Sequence, residues 1–219
     1  MRTRLWAPPA ALLAACAGLA AAGLGPASAA VPSGLVPGVC IYTPNVTDLD
    51  NTVGLPPAQP TTPAPTKAVI DTNRGKITLA LDAAKAPCTV NSFAFLAKEG
   101  FFEGTRCHRM LNLPQAGVLQ CGDPTGLGSG GPGYEFGDEN LLRAEYPRAT
   151  LAMANHGRDT NGSQFFLVFR DSKFAPDYTP FGTITGGLGV LDAAAKKGTF
   201  GANDDEPKTL VAVHTVTVE

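Results

Sequence analysis

The stretch that most restricts what this chain can become is LAMANHGRDTNGSQFFLVF, residues 151–169. Two apolar runs flank a polar middle that holds the turn-formers Gly157, Asp159, Asn161 and Gly162. The first run, 151–154, suits a strand end. The second, 164–169, is aromatic and branched and reads as a buried strand. Side chains alternate along a strand, so Gln164, Phe166 and Val168 share one face and Phe165, Leu167 and Phe169 the other. An amide beside a phenyl ring is unusual for pure core. The pair suits the floor of a groove that grips a peptide, with the amide for backbone and the ring for a side chain.

A second region answers the first. TRCHRM (105–110) and VLQCGD (118–123) read as two short strands joined by a loop. Alternation puts Arg109 with Cys107, and Gln120 with Val118. If these strands pair, Arg109 and Gln120 lie beside Gln164 and Phe166, and one cation, two amides and a ring converge.

Taken together, CHRM, QCGD, MANHGRDTNGSQFF and PFG resemble the signature of the cyclophilins, peptidyl-prolyl isomerases that bind cyclosporin. The resemblance runs from about residue 68 to the C-terminus. QCGDPTG together with four cysteines is most similar to the exported actinobacterial branch. It implies a mainly β fold: a closed eight-stranded antiparallel barrel with a helix over each end.

The rest of the chain is consistent with that plan. Residues 1–29 resemble a secretory signal peptide, with Arg2 and Arg4 first, an apolar run next and Ala27-Ser28-Ala29 at the cleavage position. Leu13-Ala14-Ala15-Cys16 also resembles a lipoprotein box, which would anchor the chain through Cys16. The apolar residues after Cys16 favour release instead. Residues 30–66 read as a proline-rich extension, with 51–66 a disordered, stiff spacer and Cys40-Ile41-Tyr42 its one sticky point. The domain spans 67–219. It opens with a hairpin turning at Asn73-Arg74-Gly75. Residues 86–98 read as a helix with Pro87 in its first turn and Gly100 ending it. Residues 123–134 form a glycine-rich surface loop, since no Lys-Ser/Thr follows to make a phosphate loop. A strand at 180–185, a helix at 190–197 and a closing strand at 210–218, with a bulge between Val213 and Val216, complete the list of elements.

Composition narrows the function classes. Charged residues are 16% and hydrophobic ones 44%, which fits a globular chain. Residues 1–30 carry Arg2 and Arg4 and no acid, so their removal takes the formal net charge from −2 to −4. Nothing in that balance attracts nucleic acid or an anionic membrane. No apolar run beyond residue 30 approaches a membrane span. An exported chain with Cys40, Cys88, Cys107 and Cys121 favours two disulfides, with three possible pairings. Cys40 can only pin the extension to the domain. Strand parity argues against Cys107–Cys121 unless a bulge intervenes. His108, His156 and His214 lack metal-ligand spacing, so neither metal nor cofactor is expected. His108, adjacent to Arg109, reads as a satisfied core histidine on the opposite face.

The resemblance also implies roles. Arg109 matches the catalytic arginine, and Gln120 the glutamine that orients it. Ala154 and Asn155 match positions whose backbone binds the residue before proline, and Gln164 a substrate contact. Phe166 matches the ring under the proline pocket, and Val118 a neighbouring wall. Phe174 falls near a cyclosporin-contacting tryptophan and Tyr178 near a groove histidine. Gly117 stands where the family usually has phenylalanine, which opens one wall that Leu113 could fold in to replace. The expected partners are proline-containing polypeptides, with weak cyclosporin binding, and the expected state is a monomer. A binding module with little turnover is the alternative. No serine, cysteine or carboxylate set accompanies the groove to support a hydrolase.

Overall fold

The computed structural model describes residues 38–45, 53–200 and 205–219; the signal-peptide and Cys16 readings lie outside them. The described strands are β1 (Tyr42–Pro44), β2 (Lys67–Thr72), β3 (Gly75–Leu81), β4 (Arg109–Leu113), β5 (Ala116–Cys121), β6 (Tyr134–Phe136), β7 (Thr150–Met153), β8 (Phe165–Arg170), β9 (Pro180–Gly186) and β10 (Val213–Val218). The helices are α1 (Pro87–Lys98) and α2 (Leu188–Lys197). Eight strands form one antiparallel sheet in the order β10-β2-β3-β9-β7-β8-β5-β4. The sheet curls because strands twist and bulges sharpen the bend. One such bulge falls between Val213 and Thr215, where the sequence pattern slips phase.

The resemblance implies a closed ladder, and here the fold departs slightly. The edge strands β10 and β4 do not pair with each other. Among the described residues, the curled sheet closes through the bridge of Arg106 to Ala212 and separate backbone bonds. Val213 N–H donates to Thr105 O at 2.8 Å, Cys107 N–H to Val211 O at 2.9 Å and Met110 N–H to Asp205 O at 2.6 Å. Residues 104–108 therefore run off strand geometry. This also explains the disulfides. Cys107 bonds Cys121, and Cys40 bonds Cys88. The parity argument against Cys107–Cys121 fails because β4 begins only at Arg109, so alternation does not reach back to residue 107.

Alternation along β8 separates two apolar clusters. Phe165, Leu167 and Phe169 point into the main core with Ile77, Leu79, Leu119, Leu151 and Phe181. Phe166 and Val168 point the other way, with Val118, Tyr146 and Ala152. Helix α1 packs Val90, Phe93 and Leu96 onto the main core. No side chain at its N-cap serves the free N–H groups. The Glu139 carboxylate does so from a distance, accepting from the N–H groups of Cys88 (3.0 Å) and Thr89 (2.8 Å). Helix α2 buries Leu191 and Ala194.

The extension differs from the spacer reading wherever it is described. β1 pairs with β6, and Cys40 N–H donates to Ala58 O at 2.7 Å. Asn91 Nδ2 donates to Pro57 O at 2.8 Å, and Pro56 is buried. Tyr42 stacks edge-on against Tyr134 and Phe136, and its hydroxyl donates to Cys88 O. Burial pushes that phenol up to about 12. The prolines keep residues 53–66 free of helix and strand, but side-chain and backbone bonds hold them to the domain.

Candidate active site

The hairpin β4–β5 sets Arg109 directly opposite Gln120, and β5–β8 sets Gln120 opposite Phe166. Three of the four side chains that the sequence groups thus meet by register, and Gln164 joins them through a hydrogen bond. Gln120 Nε2 donates to Gln164 Oε1 at 2.7 Å, and Arg109 Nη1 donates to Gln120 Oε1 at 3.4 Å. Gln164 is buried, and its own amide N–H groups donate to Gly128 O (3.1 Å) and Gly130 O (2.9 Å). The amide chain therefore ends on the glycine-rich loop. Asp123 holds the same loop from its other side, accepting from the N–H groups of Thr125 and Gly128 and from the Thr125 hydroxyl. Burial raises the Asp123 pKa, but these donors outweigh burial and leave it below the usual carboxylate value.

An open groove of about 570 Å³ runs over this surface. Arg109, Gln120, Val118, Phe166, Ala154, Asn155, Phe174 and Tyr178 all line it. Gln164 does not; it borders an adjoining niche of about 40 Å³ that also touches Gln120, Ala154 and Asn155. The groove floor is aromatic. Phe166 lies 5.5 Å from Tyr178 and 6.0 Å from Phe174, both near-perpendicular, the edge-to-face geometry that aromatic quadrupoles favour. Phe166 and Val118 are buried, whereas Phe174 and Tyr178 are half-buried. Asn155 Nδ2 donates to Asp177 O at 2.8 Å, which ties the turn after β7 to the segment that carries Tyr178.

Three sequence readings change at the site. Leu113 does not fold in: it is 45% exposed and does not line the groove. Leu111 lines it instead, opposite Val118 in the β4–β5 register. Gly117 does not face the groove either. A Cβ there would sit 2.6 Å from Arg170 Cβ and 2.7 Å from the Phe169 ring, because a register shift between Gly117 and Val118 turns residue 117 toward those neighbours. His108 is not a satisfied core residue. It lines the groove, and both of its ring nitrogens are buried without a hydrogen-bond partner. It precedes β4, so alternation with Arg109 does not dictate its direction. Burial lowers its pKa below the usual histidine value.

Two site residues have no local sequence signal. Asp205 accepts a hydrogen bond from Arg109 Nε and lines the groove. Tyr146 lies beneath the ring cluster, 5.8 Å from Phe174 and 6.1 Å from Phe166 and Tyr178. Among the described residues, no group of three or more His, Cys, Asp or Glu could hold a metal ion.

The family description "Cyclophilin type peptidyl-prolyl cis-trans isomerase/CLD" matches residues 67–218, well over half of the chain. The chain belongs to the cyclophilins. Among similar cyclophilins, the Mycobacterium tuberculosis protein named "Probable peptidyl-prolyl cis-trans isomerase B" is 46% identical over 204 residues, covering 86% of this chain and 66% of its own. The chain thus spans just under two thirds of that relative's length. A Helicobacter pylori peptidyl-prolyl cis-trans isomerase is 45% identical over 130 residues, covering 57% of this chain and 77% of its own. Among solved structures, a Cryptosporidium parvum cyclophilin superposes with a TM-score of 0.62 at 27% identity, covering 70% of this chain and 97% of that one. The same protein in the presence of the dipeptide Ala-Pro gives 0.61. Mycobacterial cyclophilins at this identity fit the actinobacterial branch. The two disulfides of this cyclophilin suit an oxidising compartment. No helix among its described residues is long and apolar enough to cross a membrane.

Proposed function

We propose that this cyclophilin is a peptidyl-prolyl cis-trans isomerase that speeds folding of exported proteins by rotating X–Pro bonds. An X–Pro bond turns over a barrier of about 18–20 kcal/mol, because twisting breaks amide resonance. No covalent step is required. The enzyme has to bind the twisted amide better than either planar form. Phe166 and Val118 form the floor for the proline ring, with Leu111 as the wall beside them. Ala154 and Asn155 offer backbone to the residue before proline. Twisting returns a lone pair to the proline nitrogen, and the Arg109 guanidinium donates to it without being consumed. Gln120 orients that guanidinium. Gln164 steadies Gln120 and the glycine-rich loop, and Phe174 and Tyr178 border the floor.

The observation that carries this reading is the register that puts Arg109, Gln120 and Phe166 side by side in one groove. Clients are then proline-containing polypeptides outside the cytoplasm, in keeping with the two disulfides and the signal-like residues 1–29. The binding-module alternative draws on Gly117 and on the longer loop between Arg109 and Gln120; against its first ground, Gly117 faces Phe169 and Arg170 and Leu111 lines the groove. Line-shape NMR of a short Ala-Pro peptide with the purified protein tests the proposal. Arg109→Ala is expected to slow exchange by roughly one to three orders of magnitude with little loss of fold stability. Equal exchange with both proteins would remove Arg109 from the chemistry.

A further inference from the structure

We propose that Asp205 is the positioning residue of Arg109, and that the seam of the barrel thereby sets the catalytic donor. This rests on the isomerase reading of the groove. The Arg109 side chain is long and 44% exposed, so nothing in its packing fixes the guanidinium plane. Its bond to Gln120 is 3.4 Å, too long to fix it alone. The second anchor is Asp205, whose carboxylate takes the Nε–H. Together the two acceptors engage Nε and Nη1 and leave Nη2 without a hydrogen bond among the described residues. That is the donor free to face a substrate.

Asp205 is itself held in place. Its carbonyl accepts Met110 N–H at 2.6 Å, one residue from Arg109. The next residues are tied as well: Phe200 N–H donates to Glu206 O at 3.2 Å, Thr199 bridges Pro207, and Pro207 is buried. The carboxylate therefore sits at a defined point across the seam from β4. An exposed ion pair adds little to stability, so a role in orientation is the one with consequence. A donor misplaced by about 1 Å can cost up to a hundredfold in rate. Charge neutralisation by the carboxylate matters less, because the acceptor is an amide nitrogen with no net charge.

The test compares turnover and peptide affinity in the full chain, using an Ala-Pro peptide followed by NMR. Asp205→Ala is expected to lower kcat about fivefold to twentyfold. Peptide Kd and the urea midpoint are expected to stay within about a factor of two and a few per cent. Asp205→Glu restores most of the rate, because it keeps an acceptor for Nε. In the Arg109→Ala background, Asp205→Ala has no further effect. Raising salt slows the wild type more than Asp205→Ala, since salt screens the pair. An Asp205→Ala enzyme as fast as wild type, or faster, overturns the inference while a slow Arg109→Ala leaves the isomerase reading intact. A full Asp205→Ala loss that persists without Arg109 overturns it too, by showing a general structural role. An Arg109→Ala enzyme as fast as an active wild type removes Arg109 from the chemistry and overturns the inference with it, whereas a wild type that does not speed exchange at all brings down the isomerase reading itself.

Discussion

The hydroxyl of Tyr146 is bonded twice to one residue: it donates to Tyr178 O at 2.8 Å and accepts from Tyr178 N–H at 2.9 Å. The phenol is buried, which raises its pKa, so it remains a donor across the working range. Through this contact a residue outside the groove fixes the backbone of one that lines it. The same ring supports Phe174 and Phe166 from below.

Tyr146→Phe keeps the ring and removes both bonds. Two part-buried backbone groups of Tyr178 then lose their partner, at a cost of about 1–3 kcal/mol in stability. Urea denaturation measures that loss. Isomerase activity is expected to fall severalfold, because Tyr178 and Phe174 line the groove proposed to bind proline and gain freedom. Unchanged stability and activity would show that water replaces the hydroxyl without penalty.

Gly117→Phe tests where the missing ring of the family would go. A side chain at this position meets Arg170 Cβ at 2.6 Å and the Phe169 ring at 2.7 Å before it can reach the groove. Overpacking of that kind typically costs about 1–3 kcal/mol. The substitution is therefore expected to lower the melting temperature and not to raise activity. Leu111→Ala, by contrast, is expected to weaken peptide binding, since Leu111 packs with Val118 and Phe166.

His108 gives the protein a stability window in mild acid. Burial lowers its folded pKa; Asp123 and Asp205 oppose that shift, and Arg109 and Arg106 add to it. The unfolded chain takes up a proton near pH 6.5, before the folded one does. Its stabilising contribution is therefore complete above about pH 6.5 and shrinks as pH falls toward the folded value. Asp123 acts in a separate window. Its folded pKa is lowered, so its contribution holds above the ordinary carboxylate range and is lost only as pH falls through that lower value. Urea midpoints between pH 7 and 5 are expected to fall in the wild type and to fall less in His108→Phe. Parallel slopes would place the titration elsewhere.

What could be read from the sequence followed the rules that govern each residue. Gln164 through Phe169 lie on or beside one strand, so alternation alone separates the face that carries Phe166 and Val168 from the core face of Phe165, Leu167 and Phe169. Arg109 and Gln120 sit on a hairpin, where register follows from a short loop. Cys107 and His108 escape the parity rule because strand alternation stops at Arg109, and residue 107 bonds to Val211 across the seam. Asp205 reaches Arg109 from 96 residues away through barrel closure, and no local pattern marks it. Tyr146 lies in an irregular segment, where periodicity says nothing. The proline-rich residues 53–66 look like a spacer by composition. What holds them is the backbone N–H of Cys40, itself tied to Cys88, and the amide of Asn91, and neither pairing is written in composition.

Cyclosporin offers a test that separates the proposed proline floor from the groove border. The resemblance places a tryptophan that contacts the drug near Phe174, which lies half-buried, 6.0 Å from Phe166 and 5.8 Å from Tyr178. An indole N–H donates a hydrogen bond and a phenyl ring does not. Losing that bond, with any packing of the larger ring, costs about 1–3 kcal/mol, or roughly ten- to a hundredfold in affinity. A short substrate reaches less of this border than a large cyclic drug does. Weak cyclosporin inhibition of an active isomerase is therefore expected, with tighter inhibition and nearly unchanged turnover in Phe174→Trp. Titrating both proteins at matched activity checks this. Nanomolar inhibition of the wild type would mean that Phe174 does not occupy the indole position and that another side chain supplies the contact.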